Sequence, residues 1–296
     1  MAYDYDLIIL GGGGGGITGA MLAHGLGKKV ALIDKRRFGG ECTWSGCVPS
    51  KSLLHAAHMV ATARRASVYS VGAQPDDRVS GAAVLQSVRD IVADIYEDER
   101  PETFEKLGIT ALENASVRFT DAHTVEASGK KMSAKKFLIA TGSSPLVPPI
   151  PGLDAAPYYT NENIFSLDQL PASLMILGGG PIGVELAQAM NRLGVAVTVI
   201  EMAPSILIRE EAELAARLSD ILTREGVRLI TGAKVVRVEN PERPAVLYDK
   251  DGIQGRAEAD ALLVAAGRRP NIEGLDLDHI SLAVTRQGIA VNGYLQ

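Results

Sequence analysis

Two stretches of this chain repeat one another in register, and that repetition limits what the chain can fold into. Leu7-Ile8-Ile9-Leu10 runs into a block of glycines, and Leu174-Met175-Ile176-Leu177 does the same. Gly11, Gly13 and Gly16 then match Gly178, Gly180 and Gly183, while Ala20 and Ala187 each stand nine positions after the first glycine. Leu26-Gly27 and Leu193-Gly194 fall at equal offsets, and a second β-type run follows in each copy, Val30 to Ile33 and Val195 to Ile200. Both copies end in an acid twenty-three positions after the first glycine, Asp34 and Glu201. Repetition of this kind means one supersecondary unit used twice.

The unit reads strand, G-x-G-x-x-G, helix, strand, acid, which is the dinucleotide-binding fingerprint in its required context. The first glycine permits a tight turn, the second lets the backbone approach a pyrophosphate, and the third lets helix pack on strand. Amides and the dipole at the helix N-terminus hold the phosphates, and the acid accepts hydrogen bonds from ribose hydroxyls. Gly11 to Gly16 taken alone could be a flexible low-complexity turn. The strand before it, the acid after it and the matching second copy argue against that. The expected fold class is α/β with two Rossmann-like domains, which implies two cofactors, or one cofactor and one co-substrate.

At 296 residues the chain can build two domains that each bury a core, so its stability needs neither a disulfide nor a metal staple. Hydrophobic residues at 46% and charged residues at 22% are proportions of a globular protein and not of a disordered one. A net charge of −5 with scattered Lys and Arg leaves no footprint for nucleic acid or an anionic membrane, and neither partner is expected. The apolar start is not read as an export signal, because Asp4 and Asp6 stand where positive charge is needed and six glycines interrupt it. No run of about 18 apolar residues suggests a membrane span. Two cysteines in a chain of this size point to a reducing compartment, with the cytoplasm as the expected location.

Directly after the first acid comes Gly39-Gly40-Glu41-Cys42-Thr43-Trp44-Ser45-Gly46-Cys47-Val48-Pro49-Ser50-Lys51. Pro49 suits a first helical turn, and the alanine-rich stretch from Leu53 to Ala63 reads as helix, so Cys47 is expected at a helix N-terminus. There the dipole favours a thiolate, the reactive form of a redox cysteine. Four residues, Gly46 among them, separate Cys42 from Cys47, and only a bend in the backbone would bring the two to disulfide distance. The competing reading is two buried cysteines acting as small hydrophobes. C-x4-C lacks a second ligand pair at zinc spacing, and His55 and His58 read as a solvated or core-edge helix face, so no metal site is expected.

The segment Gly39 to Lys51 resembles the redox signature of the pyridine-nucleotide disulfide oxidoreductases, the family of dihydrolipoamide dehydrogenase, glutathione reductase and mercuric reductase. Gly178-Gly179-Gly180-Pro181-Ile182-Gly183-Val184-Glu185 resembles its nicotinamide-site signature. Ala140-Thr141-Gly142 and Ala265-Ala266-Gly267-Arg268-Arg269-Pro270-Asn271 resemble its two crossings between domains. The resemblance implies that electrons pass from NADH through FAD to a Cys42–Cys47 disulfide, with Cys47 the flavin-facing thiol and Cys42 the interchange thiol. It implies that Lys51 and Glu185 pair beside the flavin. FAD would be held by Gly11, Gly13, Gly16, Asp34, Gly40, Lys51, Thr141 and Gly142. The nicotinamide cofactor would be held by Gly178, Gly180, Gly183 and Glu201, with Gly267 at the second crossing. A carboxylate at Glu201, with no Arg or Lys from Met202 through Ile208, favours NADH over NADPH.

The layout expected from the crossings is an FAD-binding part over 1–145, an NAD(P)H-binding domain over 146–267 inserted in it, and a return to the first over 268–296. An acidic helical pair is expected from Val79 to Leu107, short strands from Val117 to Leu138, and a stiff linker at Pro145, Pro148, Pro149 and Pro151. Pro181 stands where some relatives carry an aromatic gate, and Trp44 where many have a small or polar residue. The family's second FAD motif, dimer-interface domain and His-Glu acid-base pair would fall beyond Gln296, and the full-length protein is expected to be a homodimer. The expected substrate is a small-molecule or protein-bound disulfide, or Hg(II). Two alternatives are an FAD- and NADH-binding fragment without turnover of its own, and a flavin NADH oxidase or diaphorase that does not use the cysteines.

Overall fold

The computed structural model describes residues 3–66, 79–239, 242–285 and 287–296. The chain forms two compact units, one of Met1–Trp44, Val92–Ser144 and Arg268–Gln296, the other of Ser45–Ile91 and Pro145–Gly267.

The first unit opens with β1 (Tyr5–Leu10), α1 (Gly14–Gly25), β2 (Val30–Ile33) and the short α2 (Gly40–Trp44). α3 (Cys47–Ala66) and the start of α4 (Gly81–Glu99) belong to the second unit. The first resumes with the rest of α4, then α5 (Pro101–Lys106), β3 (Thr110–Leu112), β4 (Val117–Asp121), β5 (Thr124–Ala127), β6 (Lys130–Ile139) and β7 (Ser143–Pro145). The expected helical pair is thus α4 and α5, broken where Pro101 takes the first helical position of a new helix.

The first sheet runs β3-β2-β1-β6-β5-β4. β1 is parallel to both neighbours, Leu10 facing Ile33 on one side and Ile139 on the other. Alternation along these strands sends Ile8, Leu10, Ala31 and Ile33 into a core with Phe119, and Ile9 and Leu32 into a second core with Ala20, Phe38 and Phe104. Burial on both faces explains why β1 and β2 read as unbroken apolar runs.

The second unit repeats the plan with β8 (Ser173–Leu177), α6 (Pro181–Arg192), β9 (Ala196–Ile200), α7 (Ala212–Glu225) and β10 (Arg228–Ile230). An antiparallel meander of β11 (Ala233–Glu239), β12 (Ala245–Lys250) and β13 (Ile253–Glu258) follows, and then β14 (Ala261–Val264) completes the parallel sheet β10-β9-β8-β14. One face of that sheet packs Leu174, Ile176, Val197 and Val199 against α6 and against Leu53 and Ala57 of α3. The other packs Met175, Leu177, Ile200 and Leu262 against Val246 and Tyr248 of the meander. β15 (Arg268–Pro270) returns to the first unit beside β7, and β16 (Val284–Thr285) and β17 (Gly288–Ile289) form a closing hairpin. No described helix is long and apolar enough to cross a membrane.

Candidate functional site

The two glycine turns obey the same geometry. Gly11 and Gly178 have φ of +109° and +116°, and at each an added Cβ would lie 2.3 Å from a carbonyl oxygen, of Ala140 or of Ala265. At the third glycine an added Cβ would fall 1.7 Å from Gly11 O for Gly16 and 2.1 Å from Gly178 O for Gly183. Only glycine fits at these positions. α1 begins after Gly13 and α6 after Gly180, and neither N-terminus has a side-chain cap, so the first-turn amides point outward as donors for an anionic ligand.

Asp34 and Glu201 do more than the sequence indicated. Asp34 accepts the Gly12 amide on Oδ2 at 2.6 Å and the Arg36 amide on Oδ1 at 2.7 Å. Glu201 accepts the Gly179 amide on Oε2 at 2.5 Å and the Ala203 amide on Oε1 at 2.7 Å. Each acid therefore pins its glycine turn to the end of the second strand. Each carboxylate oxygen keeps a second lone-pair site for a ligand hydroxyl.

In the first unit Gly40, at φ +58°, lies so close to Gly13 that an added Cβ would stand 2.6 Å from the Gly13 Cα. Thr141 donates its hydroxyl to the Asn271 carbonyl at 2.6 Å, and the Asn271 amide donates to the Gly142 carbonyl at 3.0 Å, so the crossing residues lock onto one another. In the second unit the Gly267 carbonyl accepts the Leu146 amide at 2.9 Å.

Cys42 lies in α2 and Cys47 is the first residue of α3, and both are exposed, which removes the reading of two buried hydrophobes. α3 starts at Cys47, as the sequence led us to expect, with Pro49 in its first turn. One helical turn after Cys47, Lys51 donates to both oxygens of Glu185 on α6, at 2.9 and 2.8 Å. The structure thus brings together two residues 134 positions apart that the family resemblance implied would pair.

Sequence reasoning missed Arg268 as a site residue, although it stands inside one of the recognised crossing motifs. Its guanidinium donates to the Ser143 hydroxyl and carbonyl at 2.9 and 2.7 Å and to Glu41, the neighbour of Cys42, at 2.5 Å. Its Nη1 is buried and, among the described residues, has no hydrogen-bond partner. A buried donor left in that state is costly unless a ligand supplies the acceptor.

A family model described as pyridine nucleotide-disulphide oxidoreductase matches residues 5–296. A mercuric reductase of Staphylococcus aureus is 33% identical over 296 residues, covering 99% of this chain and 54% of that protein. A dihydrolipoyl dehydrogenase of Acholeplasma laidlawii is 33% identical over 300 residues, covering 100% of this chain and 87% of its own length. Among solved structures, the HOCl-induced flavoprotein disulfide reductase RclA from Escherichia coli superposes with a TM-score of 0.82 at 29% identity, over 97% of this chain and 62% of that one. The chain spans about half the length of the mercuric reductases of Staphylococcus aureus and Bacillus cereus.

Proposed function

Because the chain belongs to the pyridine nucleotide-disulphide oxidoreductase family, we propose that it is the FAD- and NADH-binding part of an enzyme that reduces a disulfide, or Hg(II), through Cys42 and Cys47. The observation that carries the reading is the Lys51–Glu185 pair, which joins the helix headed by Cys47 to the helix headed by the second glycine turn. A redox thiol and a nucleotide turn held on two helices by one ion pair is the coupling that such an enzyme needs.

The residues present fit both cofactors. Gly11, Gly13, Gly16 and Asp34, with Gly40, Lys51, Thr141 and Gly142, are the proposed FAD positions, and the orphaned Nη1 of Arg268 offers the same unit a further donor. Gly178, Gly180, Gly183 and Glu201, with Gly267, are the proposed NADH positions. Bound there, the nicotinamide would supply a hydride and the flavin would relay its two electrons to sulfur. Cys47 is assigned as the thiol facing the flavin and Cys42 as the thiol that exchanges with substrate. Lys51 and Glu185 are assigned to tune the charge beside the flavin. The functional division proposed is 1–145 with 268–296 for FAD and 146–267 for NAD(P)H, in a full-length homodimer. Glu201 supports NADH over NADPH, since its carboxylate repels a 2′-phosphate; a lower KM for NADPH would overturn that preference.

Anaerobic titration of the purified protein with NADH tests the whole path. The expected result is a yellow protein that gains a long-wavelength absorbance band from a thiolate lying against oxidised flavin. Bleaching without that band, or full activity retained in both Cys42→Ser and Cys47→Ser, would replace the proposal with an oxidase that bypasses the cysteines. A colourless protein that takes up no FAD would sink the reading.

A further inference from the structure

We propose that Trp44 is a positioning residue for Cys42: it fastens the thiol-bearing helix α2 to the backbone of Phe38, and through Phe38 to the first glycine turn. The inference rests on reading Cys42 and Cys47 as a pair that forms and breaks a disulfide.

α2 has five residues, too few to fix its own orientation by helical hydrogen bonding. It is held from outside instead. Glu41 is paired with Arg268, and the buried Thr43 hydroxyl donates to Glu99 at 2.7 Å. The Trp44 indole N–H donates to the Phe38 carbonyl at 2.7 Å. The indole packs against Tyr96 with ring centroids 4.8 Å apart, and the Arg37 guanidinium lies over it at 5.1 Å.

Phe38 is held at its other end too. Its amide donates to Glu113 at 2.5 Å, and the same carboxylate accepts the Tyr96 hydroxyl at 2.9 and 3.0 Å. Burial first, and the Glu113 hydrogen bond and charge next, push the Tyr96 phenol up to about 12, so it remains a donor across the neutral range. The Phe38 ring is fully buried against Gly12, where an added Cβ would stand 2.1 Å from the ring. Cys42 therefore sits on a helix whose place is set by a chain of contacts running from Tyr96 through Trp44 and Phe38 to the glycine turn. Phenylalanine at position 44 would keep the ring packing and lose the donor.

The test equilibrates the protein with mixtures of reduced and oxidised glutathione, quenches by alkylation and reads dithiol against disulfide by mass. In that reaction the Cys42 and Cys47 thiols lose two electrons and two protons to glutathione disulfide, which leaves as two glutathione thiols. A fixed Cys42 presents a higher effective concentration to its partner. Trp44→Phe is expected to lower the equilibrium constant for disulfide formation by about fivefold, the worth of one net hydrogen bond. Tyr96→Phe, which leaves the indole bond in place, is expected to lower it by about twofold, since one step removed from the helix it loses less than a full hydrogen bond's worth. A folded Trp44→Phe protein with an unchanged constant overturns the proposal; if that variant does not fold, an unchanged constant in Tyr96→Phe overturns it. Wild-type protein that forms no Cys42–Cys47 disulfide in fully oxidising buffer sinks the paired-cysteine reading itself, and this inference with it.

Discussion

At Gly12 an added Cβ would stand 2.1 Å from the Phe38 ring, whereas at the matching Gly179 it would meet Ile206 and Glu201 at 3.0 and 3.1 Å. One position further on, Gly40 folds back over Gly13, while nothing lies within 4 Å of a Cβ built on Gly180. The turns themselves match: a first glycine at positive φ, a third glycine against the first one's carbonyl, and an acid holding the middle amide. The backbone demands of a βαβ turn fix those features wherever the turn occurs, and the segment that follows the acid decides what covers it. In the first unit that segment brings Phe38 against Gly12 and Gly40 against Gly13, so the turn is roofed. In the second, Ile206 of that segment packs on Gly179 and the Leu207 amide donates to the Gly179 carbonyl at 2.8 Å, while Gly180 is left uncovered.

Substituting the third glycines should break this contrast most sharply. Gly16→Ala forces a Cβ against the Gly11 carbonyl and Gly183→Ala forces one against the Gly178 carbonyl. We expect Gly16→Ala to purify without flavin, and Gly183→Ala to keep its flavin while NADH oxidation falls by about 100-fold, the cost of roughly an ångström of misplacement. Flavin content by absorbance and NADH turnover separate the two. Loss of flavin from Gly183→Ala with retention in Gly16→Ala would reverse which turn serves which cofactor.

The matching turns were legible in the sequence because glycine and acid spacing is a backbone constraint that composition cannot disguise. Lys51 and Glu185 were legible only through the family resemblance, since nothing in the spacing of two residues so far apart predicts an ion pair. The roof was not legible. Phe38 looks like an ordinary apolar residue after Asp34, and Glu113 like a loop acid, until the fold brings Tyr96 and Trp44 to them. The second role of Asp34 and Glu201, pinning the glycine amides, was hidden for a different reason: a carboxylate that caps a turn and one that binds ribose leave the same letter in the sequence.

The middle glycines sharpen the contrast without needing a cofactor. Gly12→Ala must displace a fully buried aromatic ring, while Gly179→Ala asks its neighbours to yield only a few tenths of an ångström. Overpacking on that scale costs about 2 kcal/mol at Gly12 and under about 1 kcal/mol at Gly179. Denaturant midpoints measured on each variant check this, and equal losses at the two sites would mean that Phe38 is not wedged under the first turn.

The smallest effect contrasts ion pairs in the two units. In the second unit Arg192, at the end of α6, donates to both oxygens of Glu225 at the end of α7, at 2.9 and 2.6 Å, and both side chains are more than half buried. Hydrogen bonding from Arg192 holds the Glu225 carboxyl below the usual carboxylate range, against the opposing effect of burial. A depressed folded-state pKa stabilises the protein above the unfolded value, and that contribution disappears as pH falls through the folded one. Arg192→Met should therefore cost about 0.5–1 kcal/mol at pH 7 and progressively less as the medium is acidified below pH ~4. In the first unit Lys135 donates to Asp6 at 2.6 Å and likewise lowers its pKa, but that lysine is largely in water, where screening leaves an ion pair little net worth. Lys135→Met should leave the midpoint unchanged at both pH values. A loss for Arg192→Met that persists undiminished in acid would assign the residue's contribution to packing of its alkyl chain between α6 and α7 and not to the charge on Glu225.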